Sequence, residues 1–359
     1  MAATLSISHP VCSTCTNNRL AMLILAEYGV SIEDLASLAI VTFKIPDLTD
    51  AKKKAMLSSS VHKPWAGSML QGCAEEQDPL AVVQIMTAVY LAGSSDGASY
   101  QELASLFPQS DIAKYRKTLE QLGTKSKTFA LGPQVLTLQG LFLEREGRRE
   151  KAEALYLEAV ERCHFKHNPK SEHPMQLPLP TPWNALAYFL KNDPSPDRQV
   201  QAKRYFERGA VEGDDPLSYY ELASFEDKTD PKWLHYTSKA AASGYRQAAV
   251  DLAEFYQEAS SSDSPILAES RMRKTLNWLI GWRSGSTATF AHEWLQAASI
   301  MGHKPSTLKL AEHHQSIGDL TRAKEHLRKL TEPPSSANQV EEWPQLVQIA
   351  RKRLAEIKI

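Results

Sequence analysis

Cysteine is scarce in this chain: four residues in 359, at positions 12, 15, 73 and 163. So sparse a set excludes a disulfide scaffold and fits a reducing intracellular compartment, with the cytoplasm favoured. Neither sign of charge is in excess, with 41 Lys and Arg against 42 Asp and Glu. That balance argues against nucleic acid as a partner, because a polyanion favours a basic footprint. Long apolar runs are missing too. The longest near the start, "LAMLILAEYG" at 20–29, contains Glu27 and is too short to span a bilayer. No charged segment precedes an apolar one, so no secretory signal is read. The first 26 residues lack any acid and are rich in Ser and Thr, as mitochondrial presequences are, yet Arg19 is their only strong base. An ordinary N-terminus is the favoured reading and mitochondrial targeting the alternative.

Catalytic signatures are equally short. There is no Gly-rich phosphate loop, no G-x-S-x-G and no H-E-x-x-H. Neither an enzyme nor a cofactor is expected.

What the chain has is small residues at regular intervals. In "LTLQGLFLEREGRREKAEALYLEAVERC", 136–163, Gly140, Ala152 and Ala159 alternate with bulky Leu136, Leu143 and Tyr156. Offsets of three and four put 136, 140 and 143 on one helix face and 152, 156 and 159 on another. Gly147 falls between them, where a turn belongs. Two helices with small residues at their closest approach form an antiparallel hairpin. The second-helix pattern recurs in "AKRYFERGAVEG" (202–213), "WLHYTSKAAASG" (233–244) and "AHEWLQAASIMG" (291–302). A first-helix pattern follows each, at Leu222 and Ala223, 252–256 and 310–314, and "WNALAYFL" at 183–190 precedes Ala202.

This spacing resembles the tetratricopeptide repeat, and the closing "AA-x-x-G" resembles its Sel-one-like variant. The resemblance covers 136–330 in about five units. Trp233, Thr237 and Gln139 depart from the pattern, and less regular packing is expected there. The implied fold is all-α: a right-handed superhelical solenoid of antiparallel helix hairpins. The expected organisation is an N-terminal helical or partly irregular segment at 1–75 and degenerate helical repeats at 76–135. The array follows at 136–330, with insertions at about 164–182 and 258–288, then a linker and C-terminal capping helix at 331–359. Ser31 is a good N-cap before Glu33 and Asp34, and Pro344 suits the first turn of the last helix.

The two insertions hold the residues with chemical potential. "RCHFKHNPKSEHP", 162–174, offers Cys163, His164, His167 and His173 as metal ligands, but their spacing matches no standard pairing. A polar helix end followed by a Pro-broken loop is the favoured reading. "CSTC" at 12–15 lacks the second pair that zinc requires. In the later insertion, "ILAESRMRKTLNWLIGWRSG" (266–285) sets Met272, Leu276, Leu279 and Ile280 on one helical face. Arg271, Arg273 and Lys274 surround it, and Trp278 and Trp282 stand one turn apart. Such a helix suits peripheral contact with an anionic membrane or a partner groove through 266–283, or simply covers repeat surface.

The resemblance further implies that first helices line a concave surface for partner proteins or peptides. It nominates exposed positions on 185–190, 219–226, 251–258 and 309–315, with Glu221, Glu254, Gln257, Lys309 and His313 as contacts. Related repeat proteins include assembly factors of organellar complexes, quality-control adaptors and activators of synthases. The expected function is a protein–protein interaction scaffold or adaptor. A mitochondrial assembly or gene-expression factor is the first alternative, and a metal or redox protein using the Cys/His sites the second.

Overall fold

The computed structural model describes residues 29–43, 62–93, 98–124, 131–164, 179–261, 263–281, 285–332 and 341–357. Among them are eighteen α-helices and no strand. The chain divides into two compact units, one of residues 1–163 with 168–182, the other of 164–167 with 183–359.

In the first unit, α1 (Ile32–Phe43) packs on α2 (His62–Glu75), and α3 (Pro79–Ala92) packs on α4 (Ala98–Ser105) and α5 (Gln109–Gly123). The hairpin read from spacing is present as α6 (Gly132–Arg145) and α7 (Arg149–Arg162). Ser31 caps α1 as expected: the Asp34 amide donates to its Oγ at 3.0 Å, and that hydroxyl donates to the Asp34 carboxylate at 2.6 Å. Gly140 lies where Tyr156 crosses, and Tyr156 is fully buried with its hydroxyl donating to Glu144 at 2.8 Å.

The second unit runs α8 (Pro182–Lys191), α9 (Pro196–Val211), α10 (Pro216–Ala223), α11 (Pro231–Ala242) and α12 (Arg246–Glu258). The insertion follows as α13 (Pro265–Ala268) and α14 (Ser270–Ile280), and the series resumes with α15 (Ser286–Ile300), α16 (Lys304–Ser316), α17 (Leu320–Thr331) and α18 (Pro344–Glu356). Proline opens many of these helices, because its missing N–H is one that a first turn leaves unsatisfied anyway. Asp215 and Asp230 precede two of them and accept a backbone N–H from the first turn.

Hairpins form between α10 and α11, between α12 and α15, and between α16 and α17. The α12–α15 pair closes across the insertion, as the repeat pattern requires. Gly244 and Gly302 end their helices at φ +89° and +86°. There the next residue's amide reaches back to Ala240 at 3.0 Å and to Ala298 at 2.9 Å. This left-handed closure favours glycine and lets the next helix start at once. Cys163 and Gly213, which end the 136–163 and 202–213 stretches, do not adopt this left-handed closure. Cys163 is extended (φ −82°, ψ 152°), so the chain leaves α7 without turning back. After Gly213, Asp214 takes the left-handed conformation at φ +50°.

Two of the three departures from the repeat pattern find partners, while the third, Thr237, is fully buried with its hydroxyl unpaired among the described residues. Trp233 lies 5.1 Å from Phe255, ring to ring, and the buried Gln139 amide donates to the Leu119 carbonyl. Two bulkier or more polar side chains are thus absorbed by partners of matching shape or hydrogen-bonding capacity.

Candidate interaction surface

First helices of the second unit are joined by a ladder of polar contacts. The Tyr188 hydroxyl on α8 donates to Glu221 on α10 at 2.9 Å, and Lys191 reaches the same carboxylate at 2.6 Å. Tyr220 on α10 packs 4.7 Å from Tyr245, centroid to centroid, at the start of α12 and hydrogen-bonds Asp251. Glu254 on α12 pairs with Lys309 on α16 at 3.8 Å, and Glu312 pairs with Arg353 on α18 at 2.9 Å. Burial first, and then the neighbouring carboxylates, push the Tyr188 and Tyr220 phenols well above their ordinary range, so both stay protonated donors.

This ladder sorts the nominated contacts. Glu254, Gln257, Lys309 and His313 are exposed on α12 and α16. Glu221 is not a free surface acid, because its side chain is only 13% exposed and two donors hold it. The nomination of 185–190 is corrected as well: all of these residues are buried except Tyr188, which is half-buried. α8 is wrapped by its neighbours, and its apolar run is core rather than surface.

Two side-chain clusters carried no signal in the repeat pattern. Asp215, 3% exposed, accepts from the Trp183 indole (3.1 Å), the Asn184 amide (2.7 Å) and the Ser218 backbone (3.2 Å). The Ser218 hydroxyl lies 2.6 Å from the same carboxylate oxygen. An added Cβ at Gly209 would sit 2.3 Å from that hydroxyl oxygen, so the glycine makes room for the network. The second cluster is four histidines on three helices. His314 stacks on His326 at 5.3 Å, and His292 lies 4.9 Å from His313 and 6.0 Å from His314. Burial first, and then neighbouring histidines among other charges, hold His292 and His326 below the usual imidazole range. Among the described residues no group of three or more His, Cys, Asp or Glu is arranged to hold a metal ion. Of the earlier metal candidates, Cys163 and His164 follow α7, while His167 and His173 lie outside the described residues, as do Cys12 and Cys15.

The inserted α14 buries Met272 and Leu276 in the second unit's core, with Ile266 of α13 beside them. The proposed apolar face is narrower than read from spacing: Leu279 is 48% exposed. The Ile280 side chain and Trp282 lie outside the described residues. Arg271, Arg273 and Lys274 are exposed, and Trp278 is 82% exposed. No helix among the described residues is long and apolar enough to cross a membrane.

No protein-family model matches the sequence, and no curated protein matches it. Among solved structures the chain is similar to a Sel1 repeat protein from Oxalobacter formigenes, at 15% identity and TM-score 0.35, over 100% of this chain and 98% of that one. It is also similar to yeast Tom70, at 12% identity and TM-score 0.31, over 96% and 82%. No residue role is carried over at such identities. The chain's own geometry is that of a helical-repeat array.

Proposed function

We propose that this chain is a non-catalytic scaffold that binds partner proteins along the first-helix face of its second unit. The observation that carries this reading is the ladder from α8 to α18, which fixes successive first helices against one another while Glu254, Gln257, Lys309 and His313 stay exposed. A hairpin cannot bury its apolar face alone, so stacked hairpins produce a long preorganised surface. A partner segment laid along it loses only its own freedom, while the scaffold is already ordered. Charges of both signs set register, and the aromatic side chains between helices provide contact area.

The buried free thiol of Cys73, which burial pushes up to about 12, fits a reducing intracellular compartment. The test is affinity purification with mass spectrometry on the full chain, comparing wild type with Gln257→Arg, His313→Glu and the single charge reversals Glu254→Lys and Lys309→Glu. Partners that bind this face are expected to drop about tenfold with folding unchanged. A partner set identical across all four variants would overturn the assignment of the surface.

A further inference from the structure

The insertion adds a second surface of different chemistry. α14 packs against α11, and neither helix contains an acid. Together they expose Lys232, Lys239, Arg271, Arg273 and Lys274, none of which forms an ion pair among the described residues. Elsewhere in the unit Lys191, Lys203, Arg246, Lys304 and Arg353 each hold a carboxylate, while Arg204, Lys228, Lys324, Arg328, Arg351 and Lys352 also lack an ion pair among the described residues. What sets α11 and α14 apart is therefore the absence of any acid along two contacting helices. The nearest acids in sequence, Asp230 and Glu269, stand at the N-cap positions, ahead of the helices and not along them. On α14, residues four apart share a face, so Lys274 and Trp278 lie together, on the side away from buried Met272 and Leu276. Trp278 is 82% exposed and Leu279 beside it 48% exposed, and a tryptophan with its apolar body in solvent is suited to an interface.

We propose that this α11–α14 face docks an acidic protein segment, with Trp278 taking an apolar or aromatic side chain of the partner and the five cations its carboxylates. The inference rests on the scaffold reading and adds the chemistry of one partner class. Three features favour this occupant. A membrane-seated amphipathic helix inserts its apolar face, and here that face is already used by the protein core. Nucleic acid needs an extended basic tract, whereas the chain as a whole carries a net charge of −1. Exposed cations on two contacting helices, with one exposed indole on α14, match a short acidic segment, in which charges steer encounter and the indole holds the complex.

The test uses the full-length protein and a short dye-labelled Glu/Asp-rich peptide with one central Phe, followed by fluorescence anisotropy. Controls are the Gln/Asn counterpart of the peptide, phosphatidylserine-containing vesicles and a single-stranded oligonucleotide. Saturable binding of the acidic peptide is expected, weakened about tenfold by combined R271A, R273A and K274A and by raised salt. Trp278→Ala is expected to weaken it about fivefold while leaving the salt dependence unchanged. All four residues are exposed, so melting curves of the variants should match wild type. Absence of peptide binding, or binding insensitive to these substitutions, overturns the proposal. So does tighter binding of vesicles or oligonucleotide that is lost with the same variants. Partner capture that still depends on Glu254 and His313 would leave the scaffold reading standing if this surface fails. Loss of that dependence alone would overturn the first-helix surface and not this one.

Discussion

Replacing Gly140 by alanine sets two well-understood effects against each other. In an ordinary helix interior the change stabilises by about 1 kcal/mol, because alanine loses less backbone freedom on folding. Here the new Cβ would lie 2.4 Å from Cε1, 2.7 Å from Cδ1 and 3.0 Å from Cζ of Tyr156. That ring has no room to yield: it is fully buried, and its hydroxyl is tied to Glu144, one turn along the same helix as Gly140. Relief requires either that α6 and α7 separate or that the ring rotates off Glu144. Overpacking of this kind costs about 1–3 kcal/mol, and loss of the hydrogen bond about 1 kcal/mol more. Set against the helix-propensity gain, a net destabilisation of about 1–3 kcal/mol is expected. Urea unfolding of the full chain, with hydrogen exchange across 132–162 to localise the effect, measures it. The chain has two compact units, so the local readout is needed beside the global one. On a Tyr156→Leu background the same substitution should become neutral or stabilising. Gly147, at φ +76° with nothing within 4 Å of an added Cβ, should instead lose about 1–2 kcal/mol on either background through backbone strain. A Gly140→Ala protein as stable as wild type, or an equal loss on both backgrounds, would refute the close-approach explanation of the small residue.

Asp215→Ala should destabilise the second unit by about 3 kcal/mol or more, since the Trp183, Asn184 and Ser218 donors would stay buried without their acceptor. Asp215→Asn, which keeps one acceptor oxygen, should cost less; an order reversed in chemical denaturation would contradict the network. Acidification should weaken the C-terminal repeats. His292, His303 and His326 are all held below the ordinary imidazole value of 6.5, mainly by burial, so the unfolded chain takes up protons first. Stability is therefore full above 6.5, falls as pH drops through that value, and is fully diminished below the lowered native values. Thermal melts between neutral and mildly acidic pH should show the decline, and His292→Gln with His326→Gln should flatten it.

Much of the architecture was legible because it rests on repetition. The small–bulky alternation of 152, 156 and 159 is a direct record of two backbones approaching, and it located α7 and its partner α6. The same pattern paired α12 with α15 across the insertion, because Ala253 and Ala291 keep their roles however much chain lies between them. α2 was not legible. "HKPWAGSMLQGCAE" contains Pro64, Gly67 and Gly72, all poor helix formers, and its helicity comes from packing. At Gly67 an added Cβ would meet Leu106 at 2.6 Å, so the residue that weakens the local signal is what admits the neighbour. The surface was only half legible for a related reason. Glu221 and Glu254 look equivalent in sequence, but only the fold reveals that Tyr188 and Lys191 converge on the first. The histidine cluster is spread over three helices, so no local motif announces it. One signal was available and unused: Asp-Pro at 78–79, 215–216 and 230–231 marks three helix starts.

The position of the insertion separates the two proposed surfaces. In a stack of hairpins, first helices neighbour first helices and second helices neighbour second helices. The ladder from Glu221 through Glu254 and Lys309 to Arg353 runs along the first helices and crosses the insertion point without a break. The inserted α14 instead packs against α11, a second helix. Chain added between α12 and α15 therefore decorates the second-helix layer and leaves the first-helix face continuous. Met272 and Leu276 are fully buried, so the insertion is anchored rather than appended. An array built this way can carry the proposed basic docking face without disturbing the register of the first helices. It follows that charge removal at Arg271, Arg273 and Lys274 should leave binding at Glu254 and Lys309 unchanged, an independence expected of sites with no shared contacts.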